Sequence, residues 1–274
     1  MKKLWILIGV VVFATSCELF EDTADGGLSE TEVVEGLKTA LEIGTDSAVA
    51  VLSPQNGYYG NSLLKIPLPE DAEKVRKVIT NNAIAQFFSL DSQFEKVIKS
   101  MNYAASQAAK EAAPIFSEAI SDMSVVDGWE ILNGKVPSSA KSAEDNEFDS
   151  TAATEYFKIK TTEGLTNLYA PKINTALGQD LGLGFSAVDA WSILIDQYNT
   201  QKNKSLVKAA ITAAALTGNT IVLPELESDL GEYATEKALD GLFYMVGEEE
   251  KKIRKNPWDW AVDIIQKVFG SLFN

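Results

Sequence analysis

Carboxylate side chains are the main candidates for chemistry in this chain. The sequence contains no histidine and one cysteine, which excludes imidazole general bases, the usual zinc sites and Ser-His-Asp triads. Any catalysis would have to use carboxylates, lysine, tyrosine or serine. These residue types form no recognisable catalytic motif along the sequence. We therefore predict that the protein is not an enzyme and that it carries no cofactor.

One predicted helix, over residues 228–256, holds the acids of greatest interest. At about 100° per residue, Glu250 falls inside the apolar stripe of this helix and Glu249 lies on its edge. Arg254 follows Glu250 by four residues, the favourable order for an ion pair on a helix. A second acidic pair lies one turn apart on the flank nearest Arg254. The candidate cluster is Glu236, Asp240, Glu249, Glu250 and Arg254.

This cluster has two interpretations. A charged carboxylate that faces a core must be paired or protonated, so the first is a semi-buried Glu250–Arg254 ion pair that fixes how the helix docks. The alternative is an all-oxygen site for Ca²⁺ or Mg²⁺, or a carboxylate pair for acid–base work. That site would use Glu236, Asp240, Glu249 and Glu250. No ligand loop rich in Asp and Gly accompanies these acids, and we predict no metal site.

Helical periodicity runs along nearly the whole chain, with no strand-like alternation and no internal repeat. We therefore predict an all-α fold, a multi-helix bundle forming a single domain over residues 28–274, without a sheet. Besides the helix at 228–256, the predicted helices cover 29–52, 70–88, 92–112 with a continuation kinked at Pro114 to about 122, 124–132, 151–168, 171–179, 186–199, 203–217, and a final helix from Pro257.

The first and last helices have clear apolar faces. Ser29 and Glu32 form a capping box at the start of the first helix, and Gly44 lies on its apolar face, which favours a close helix crossing. Pro257, with Asn256 as N-cap, is predicted to begin the last helix. Its buried stripe is predicted to contain Trp258, Val262, Ile265, Phe269 and Leu272, with Trp260 pointing elsewhere.

Two further segments allow alternative interpretations. Residues 53–69 are rich in Pro, Gly and Asn and predict a loop that Tyr58 and Tyr59 clamp onto the core. The small residues of 208–216 predict tight core packing. The alternative is a carrier for a small apolar ligand held between helices, with the 208–216 face as its groove and the 53–69 loop as its lid.

The first residues indicate export and lipid attachment. Lys2 and Lys3 precede an apolar run at 4–13, which at about 1.5 Å per residue covers roughly half of a ~30 Å bilayer core and so resembles a signal peptide. The small residues 14–16 and then Cys17 resemble a bacterial lipobox. We predict a lipoprotein signal peptide at 1–16, and a lipidated cysteine with a flexible tether at 17–27. The alternative is an ordinary secretory signal with a chance cysteine.

The composition restricts the partners. The formal net charge is −15 and 46% of the residues are hydrophobic, so the chain can bury a core but repels nucleic-acid phosphates. It also repels anionic lipid head groups, so acyl chains on Cys17 would have to hold it at a membrane. We expect contact with a membrane through these chains, an envelope protein or an apolar small molecule as partner, and no nucleic acid.

Five segments together resemble a known bacterial family of lipid-anchored or exported proteins, domain of unknown function 4197. They are LSETEVVEGLKTALEIG, NSLLKIPLP, EAAPIFSEAISDMSVVDGWEILNG, ATEYFKIKTTEGLTNLYAPKI and ATEKALDGLFYMVGEEEKKIRKNP. The resemblance covers roughly 28–272 and implies one all-helical domain facing the periplasm or the outside, without catalytic residues to carry over. Residues 135–150 depart from the family's usual short, acidic connection.

We therefore expect a lipid-anchored protein of the bacterial cell envelope. Its location would be the outer membrane facing the periplasm, with the cell surface as the alternative. The first functional hypothesis is a non-enzymatic scaffold or binding module. The apolar carrier comes second, and a carboxylate-dependent hydrolase or metal binder comes last.

Overall fold

A computed structural model describes residues 27–138 and 148–273. The predicted signal peptide and Cys17 lie outside these residues, as does most of the 135–150 stretch. The described part is all-α, as predicted, and contains no strand. Its helices are α1 (Glu30–Leu52), α2 (Glu70–Asn81), α3 (Asp91–Ala109), α4 (Ala112–Asp122), α5 (Gly128–Leu132), α6 (Ala152–Leu177), α7 (Ala187–Lys202), α8 (Ser205–Leu216), α9 (Leu230–Lys255) and α10 (Asp263–Gly270).

Helices α1 and α9 form the centre of the bundle, and α6 packs along α9. A Cβ atom at Gly44 of α1 would lie 2.9 Å from Val246 Cγ1 and 3.1 Å from the Val246 carbonyl oxygen of α9. Only glycine allows the two backbones to approach this closely. The predicted close crossing at Gly44 is confirmed. Among the described residues, no helix is both long enough and apolar enough to cross a membrane.

The start of α1 holds α10 in place. Ser29 Oγ accepts a hydrogen bond from the Glu32 N–H at 3.3 Å, and Glu32 Oε2 accepts one from the Ser29 N–H at 3.0 Å, so the predicted capping box is present. Lys267 of α10 donates to the same Glu32 carboxylate. This hydrogen bond is the main reason that the pKa of Glu32 falls to about 2.

Two helix ends in the first half differ from the prediction. Helix α2 ends at Asn81 rather than residue 88, because the Asn82 side chain donates to the Val78 carbonyl at 2.8 Å and closes the last turn. The break between α3 and α4 falls at residues 110–111, before Pro114. Pro114 lies in the first turn of α4, where a missing N–H does not interrupt the helix.

The predicted boundary between 151–168 and 171–179 is wrong, because α6 is one helix from Ala152 to Leu177 with Pro171 inside it. Proline lacks the N–H that would pair with the carbonyl of Asn167. Asn167 is exposed, so water can satisfy that carbonyl and the helix continues.

The predicted final helix is also corrected. Pro257 begins only a 3₁₀ turn, Pro257–Asp259, and the helix proper begins at Asp263. Because the helix is interrupted between the 3₁₀ turn and α10, the predicted apolar stripe does not continue along one face. Ile265 and Phe269 are buried as predicted, whereas Trp258 is 55% exposed. The remaining members of the predicted stripe, Val262 and Leu272, and Trp260 beside them, are partly buried against the core.

The 53–69 loop is fastened to the core by Tyr58. Its ring is fully buried, and its hydroxyl donates to the Ala238 carbonyl of α9 at 2.7 Å. Helix α8, by contrast, is largely exposed, with only Val207 and Ala214 buried, so the prediction that 208–216 packs tightly in the core is wrong. The structure therefore does not supply the lid and the groove of the apolar-carrier hypothesis.

Candidate functional site

Glu250 is buried at the first turn of α6. Its side chain is 1% exposed, and its carboxylate accepts hydrogen bonds from the Ala153 N–H at 3.0 Å, the Thr154 N–H at 2.8 Å and the Thr154 hydroxyl at 2.7 Å. Free N–H groups and the helix dipole make a helix N-terminus a favourable place for a negative charge. Glu250 thus caps a helix that is distant in sequence.

Arg254 has the complementary role at the end of α5. It donates through Nε to Glu250 at 2.8 Å, and its other nitrogens donate to the carbonyls of Leu132 at 2.6 Å and Ile131 at 2.9 Å. These carbonyls belong to the last turn of α5, where a positive charge is favoured. The guanidinium also lies 5.5 Å from the centre of the Phe269 ring.

The Glu250–Arg254 ion pair therefore ties three helices together. It joins α9 to the end of α5 and to the start of α6, and so holds both ends of the chain segment between them. Both charges are buried and hydrogen-bonded, which is the condition under which a buried pair is tolerated. The carboxylate oxygens are occupied by protein donors, and this arrangement does not present Glu250 to a substrate.

Glu249 and Glu248 do not join this network. The Glu249 carboxylate, near the α1 side, accepts from Lys252 at 2.7 Å and from the Ser47 hydroxyl at 3.4 Å. Glu248 pairs with Lys251 at 2.6 Å. The three consecutive acids thus have three different sets of partners.

Glu236 and Asp240 lie in a different part of the molecule. Asp240 precedes Glu250 by ten residues, about 15 Å along the helix. Its carboxylate contacts Lys158 of α6 at 3.1 Å and Lys237 at 3.4 Å, and Glu236 pairs with Lys237 at 2.7 Å. The structure therefore does not bring together the acids of the proposed metal or acid–base site. Over 27–138 and 148–273, no group of three or more acidic or cysteine side chains is placed to hold a metal.

These two acids line a groove of about 410 Å³ between α6 and α9. Its floor is apolar and includes the buried side chains of Leu239 and Phe243. The Lys158 ammonium lies over one end of the floor, 5.7 Å from the centre of the Phe243 ring. The other lining residues are Thr162, Thr166, Ala170, Asn174, Asp229, Gly231, Glu232, Thr235, Glu236 and Asp240. We call this the α6–α9 groove.

A second groove of about 530 Å³ lies on the opposite side of α6, against α4. It is lined mainly by apolar side chains, among them Ile115, Met123, Leu165 and the exposed Leu168. Helix α6 therefore stands between two grooves, and the acidic side chains of α9 border only the first.

Lys158, Lys237 and Thr154 belong to these sites but are not among the residues predicted from the sequence. Lys237 lies three residues before Asp240, so helical spacing could have placed it beside the acids. Lys158 and Thr154 come from α6 and contact α9 residues 82 and 96 positions away. No feature of the sequence connects those positions.

The model of one protein family, described as a protein of unknown function (DUF4197), matches residues 27–270. The chain belongs to the DUF4197 family. This confirms the resemblance drawn from the sequence. No curated protein and no solved structure matches the chain. The DUF4197 description names no activity, so a functional argument has to come from the geometry of the chain itself.

Proposed function

We propose that this DUF4197 protein is a lipid-anchored module of the bacterial cell envelope that binds a basic, amphipathic segment of a partner protein without catalysing a reaction. The observation that carries the proposal is the α6–α9 groove, which combines an apolar floor with acidic walls. The carboxylate most deeply buried in the candidate cluster, Glu250, is engaged by protein donors and supports the fold instead.

Charge complementarity supports a basic occupant. Four acids line the groove, namely Asp229, Glu232, Glu236 and Asp240, together with one base, Lys158. Lys237 adds a second base beside Glu236 and Asp240, so acids still outnumber bases by two to one. The whole chain carries a formal charge of −15. Acidic walls favour a Lys- or Arg-rich partner and disfavour an acidic one.

The dimensions and the floor support a helical segment. The stretch of α9 from Asp229 to Phe243 covers about 20 Å, which matches nearly four turns of a bound helix. Amphipathic helices place their apolar side chains on the floor of such grooves, and here Leu239 and Phe243 would receive them. The basic side chains of the occupant would reach Glu236 and Asp240 on the wall.

The envelope location rests on the N-terminal sequence. The apolar run at 4–13, the small residues 14–16 and Cys17 support export followed by acylation. Two or more acyl chains give stable attachment to a bilayer where one chain does not. Attachment at the outer membrane, facing the periplasm, would hold the groove close to envelope proteins; the cell surface is the alternative.

The mass of the mature N-terminal peptide tests the anchor. Protein purified from membranes of its native host should begin at Cys17 and carry the mass of two or three acyl chains. The Cys17→Ser variant should lose these chains and leave the membrane fraction. An unacylated N-terminus on the natural protein would overturn the envelope part of the proposal.

Photo-crosslinking in intact cells tests the groove. A benzoylphenylalanine replacing Thr162, which is exposed and lines the groove, should crosslink to a polypeptide whose captured peptide is rich in Lys or Arg. The matched control replaces Ala213, exposed on α8, and should give no such product. Capture of lipid alone, or of an acidic peptide, would overturn the assignment of the partner.

A further inference from the structure

Two large aromatic side chains near the end of the described chain remain in water. Trp258 is 55% exposed and Phe273 is 54% exposed, and their rings pack on each other with centroids 5.1 Å apart. Gly270 lies beneath the indole, since a Cβ atom there would be 3.7 Å from Trp258 Cζ2. The pair forms one aromatic surface that residues 27–138 and 148–273 leave exposed.

This surface belongs to the same end of the molecule as the start of α1. Lys267 of α10 pairs there with Glu32 of α1, and the buried Val268 and Phe269 pack α10 onto the core. One turn further along α1, a Cβ atom at Gly36 would lie 2.7 Å from Val268. The segment that precedes α1 therefore enters the domain beside α10.

The length of that segment keeps the surface near any membrane to which Cys17 is attached. Gly27 follows Cys17 by ten residues, and a fully extended chain of that length covers at most about 35 Å. A connection this short produces a high effective concentration of the domain at the bilayer. Contacts between the domain and the bilayer that would be too weak to detect for an unanchored protein are then formed for a substantial part of the time.

The chemistry of the surface suits the bilayer interface. Tryptophan is enriched where the hydrocarbon meets the head groups, because its ring is apolar and its N–H is polar. Trp260 and Leu272, partly buried, lie next to the pair in sequence. The exposed charges of residues 255–273 are of both signs, with Lys255 and Lys267 against Asp259 and Asp263, and Glu30 and Glu35 at the start of α1 add negative charge at this end. The aromatic rings and the short tether, rather than charge, would therefore hold the domain at the bilayer.

We propose that the Trp258–Phe273 surface docks on the bilayer that holds the acylated Cys17, and thereby fixes the orientation of the domain. This inference rests on the lipid anchor of the proposed function but not on the occupant of the α6–α9 groove. The alternative occupant of the aromatic surface, a second copy of the chain, is one of the outcomes of the test.

The test measures the depth of a fluorescent label on the acylated full chain. Because acylation consumes the thiol of Cys17, an introduced cysteine is the only free thiol in the protein. Asp259→Cys, between the two tryptophans, is labelled with a nitrobenzoxadiazole dye, and the control is Asn219→Cys, exposed after α8. Both proteins are reconstituted into vesicles of phosphatidylethanolamine and phosphatidylglycerol at a ratio of about 3:1.

We expect the label at 259 to shift its emission to the blue and to be quenched by nitroxide-labelled lipid several-fold more strongly than the label at 219. Equal, weak quenching at both positions would overturn the proposal. A blue shift at 259 that appears without lipid quenching and grows with protein density would assign the surface to a second copy, and would equally overturn it.

A variant pair shows whether the aromatic side chains are responsible. Adding Trp258→Ser and Phe273→Ser to the Asp259→Cys protein should reduce the quenching to the level at 219, whereas adding Leu216→Ser should not change it. Far-ultraviolet circular dichroism verifies that both variants remain helical. Undiminished quenching in the folded double variant would contradict the proposal.

Failure of the anchor and failure of docking are distinguishable. The mass of the N-terminal peptide and flotation with the vesicles report acylation independently of the label. An unacylated chain that does not float refutes both the anchor and the docking. An acylated chain that floats, but whose label at 259 stays in water, refutes only the docking.

Discussion

The two halves of α9 carry the same residue types but use them differently. In the C-terminal half, Glu250 and Arg254 are buried, and protein partners occupy the carboxylate and all three guanidinium nitrogens. In the N-terminal half, Glu236 and Asp240 lie on a groove wall, and their ion pairs within the described part of the chain are with lysine side chains that remain partly exposed. The difference shows that burial and the number of donors, rather than residue type, separate a structural carboxylate from one available to a partner.

Removing one partner of the buried Glu250–Arg254 pair should have the largest effect on the free energy of unfolding. Arg254→Met would leave Glu250 charged without its counter-ion and would remove the side-chain donor from the Leu132 and Ile131 carbonyls, of which Ile131 keeps the Gly134 N–H at 3.0 Å. Removal of one partner of a buried pair costs roughly 3–5 kcal/mol, and urea denaturation should show a loss of that size. Lys255→Met, at the exposed next residue, is the control and should change the free energy of unfolding by less than about 0.5 kcal/mol. Small and equal changes in the free energy of unfolding of Arg254→Met and Lys255→Met would contradict the structural role of Arg254.

Glu250→Gln should destabilise less. The substitution removes the counter-ion of Arg254, but glutamine keeps the shape and one oxygen that can still accept from Arg254 Nε, whereas Arg254→Met leaves a buried carboxylate with no cation beside it. The glutamine amide nitrogen would face the donors of Ala153 or Thr154. We expect a loss of about 1–3 kcal/mol, the cost of buried groups left unsatisfied. Glu248→Gln is the matched control, since that carboxylate is more exposed and pairs with the partly exposed Lys251. Glu250→Gln should therefore unfold at a lower temperature than Glu248→Gln. Equal unfolding temperatures for the two variants would contradict the structural role of Glu250.

The pH dependence of stability tests a third carboxylate, that of Asp71, which accepts hydrogen bonds from the residues just before α9. Burial alone would raise the pKa of Asp71, but hydrogen bonds from the Ser228 hydroxyl and from three backbone N–H groups outweigh it and lower the pKa. A group with a lowered pKa stabilises the fold at pH values above the unfolded pKa, about 3.9 for aspartate. That stabilisation is lost as the pH falls through the folded pKa.

Wild type should therefore have a higher free energy of unfolding than Asp71→Asn at pH 7. This difference should become smaller as the pH falls from about 5 to 3. The control Asn219→Ser, at an exposed position without a titratable side chain, should keep the same difference from wild type at every pH. Denaturant titrations at several pH values give both curves. A difference between wild type and Asp71→Asn that stayed constant down to pH 3 would show that the hydrogen bonds to Asp71 do not depend on its charge.

The smallest effect on stability is expected in the groove. The double variant Glu236→Gln and Asp240→Asn removes ion pairs between partly exposed groups, which contribute about 0–1 kcal/mol each. Its free energy of unfolding should lie within about 1 kcal/mol of wild type by urea denaturation. A loss comparable to that of Arg254→Met would show that these acids stabilise the fold as the buried pair does. The two halves of α9 would then not differ in role.

The sequence reveals interactions within one element better than those between elements. Spacing alone identified the Ser29–Glu32 capping box, the Gly44 crossing and the Glu250–Arg254 pair, because each depends on residues a few positions apart or on one helix face. The caps that the pair provides for α5 and α6 could not be predicted. They join residues separated by about a hundred positions.

Two helix boundaries and one buried face differ from the prediction. The sequence predicts one helix ending at 168 and another beginning at 171, a helix beginning at Pro257, and core packing for the alanines of 208–216. In each case the outcome depends on the tertiary surroundings. The carbonyl opposite Pro171 belongs to an exposed residue, the chain after Pro257 bends to reach α1, and α8 packs mainly against α7. Local propensity contains none of that information.

The most direct test of the central claim measures the crosslink from Thr162 in the folded Glu236→Gln, Asp240→Asn protein. If the groove recognises a basic segment through these acids, neutralising them should reduce the yield of the polypeptide crosslink several-fold while the far-ultraviolet spectrum stays that of wild type. An undiminished yield in a folded variant would show that the acidic wall has no part in binding, and would contradict the division of α9 into a structural half and a binding half.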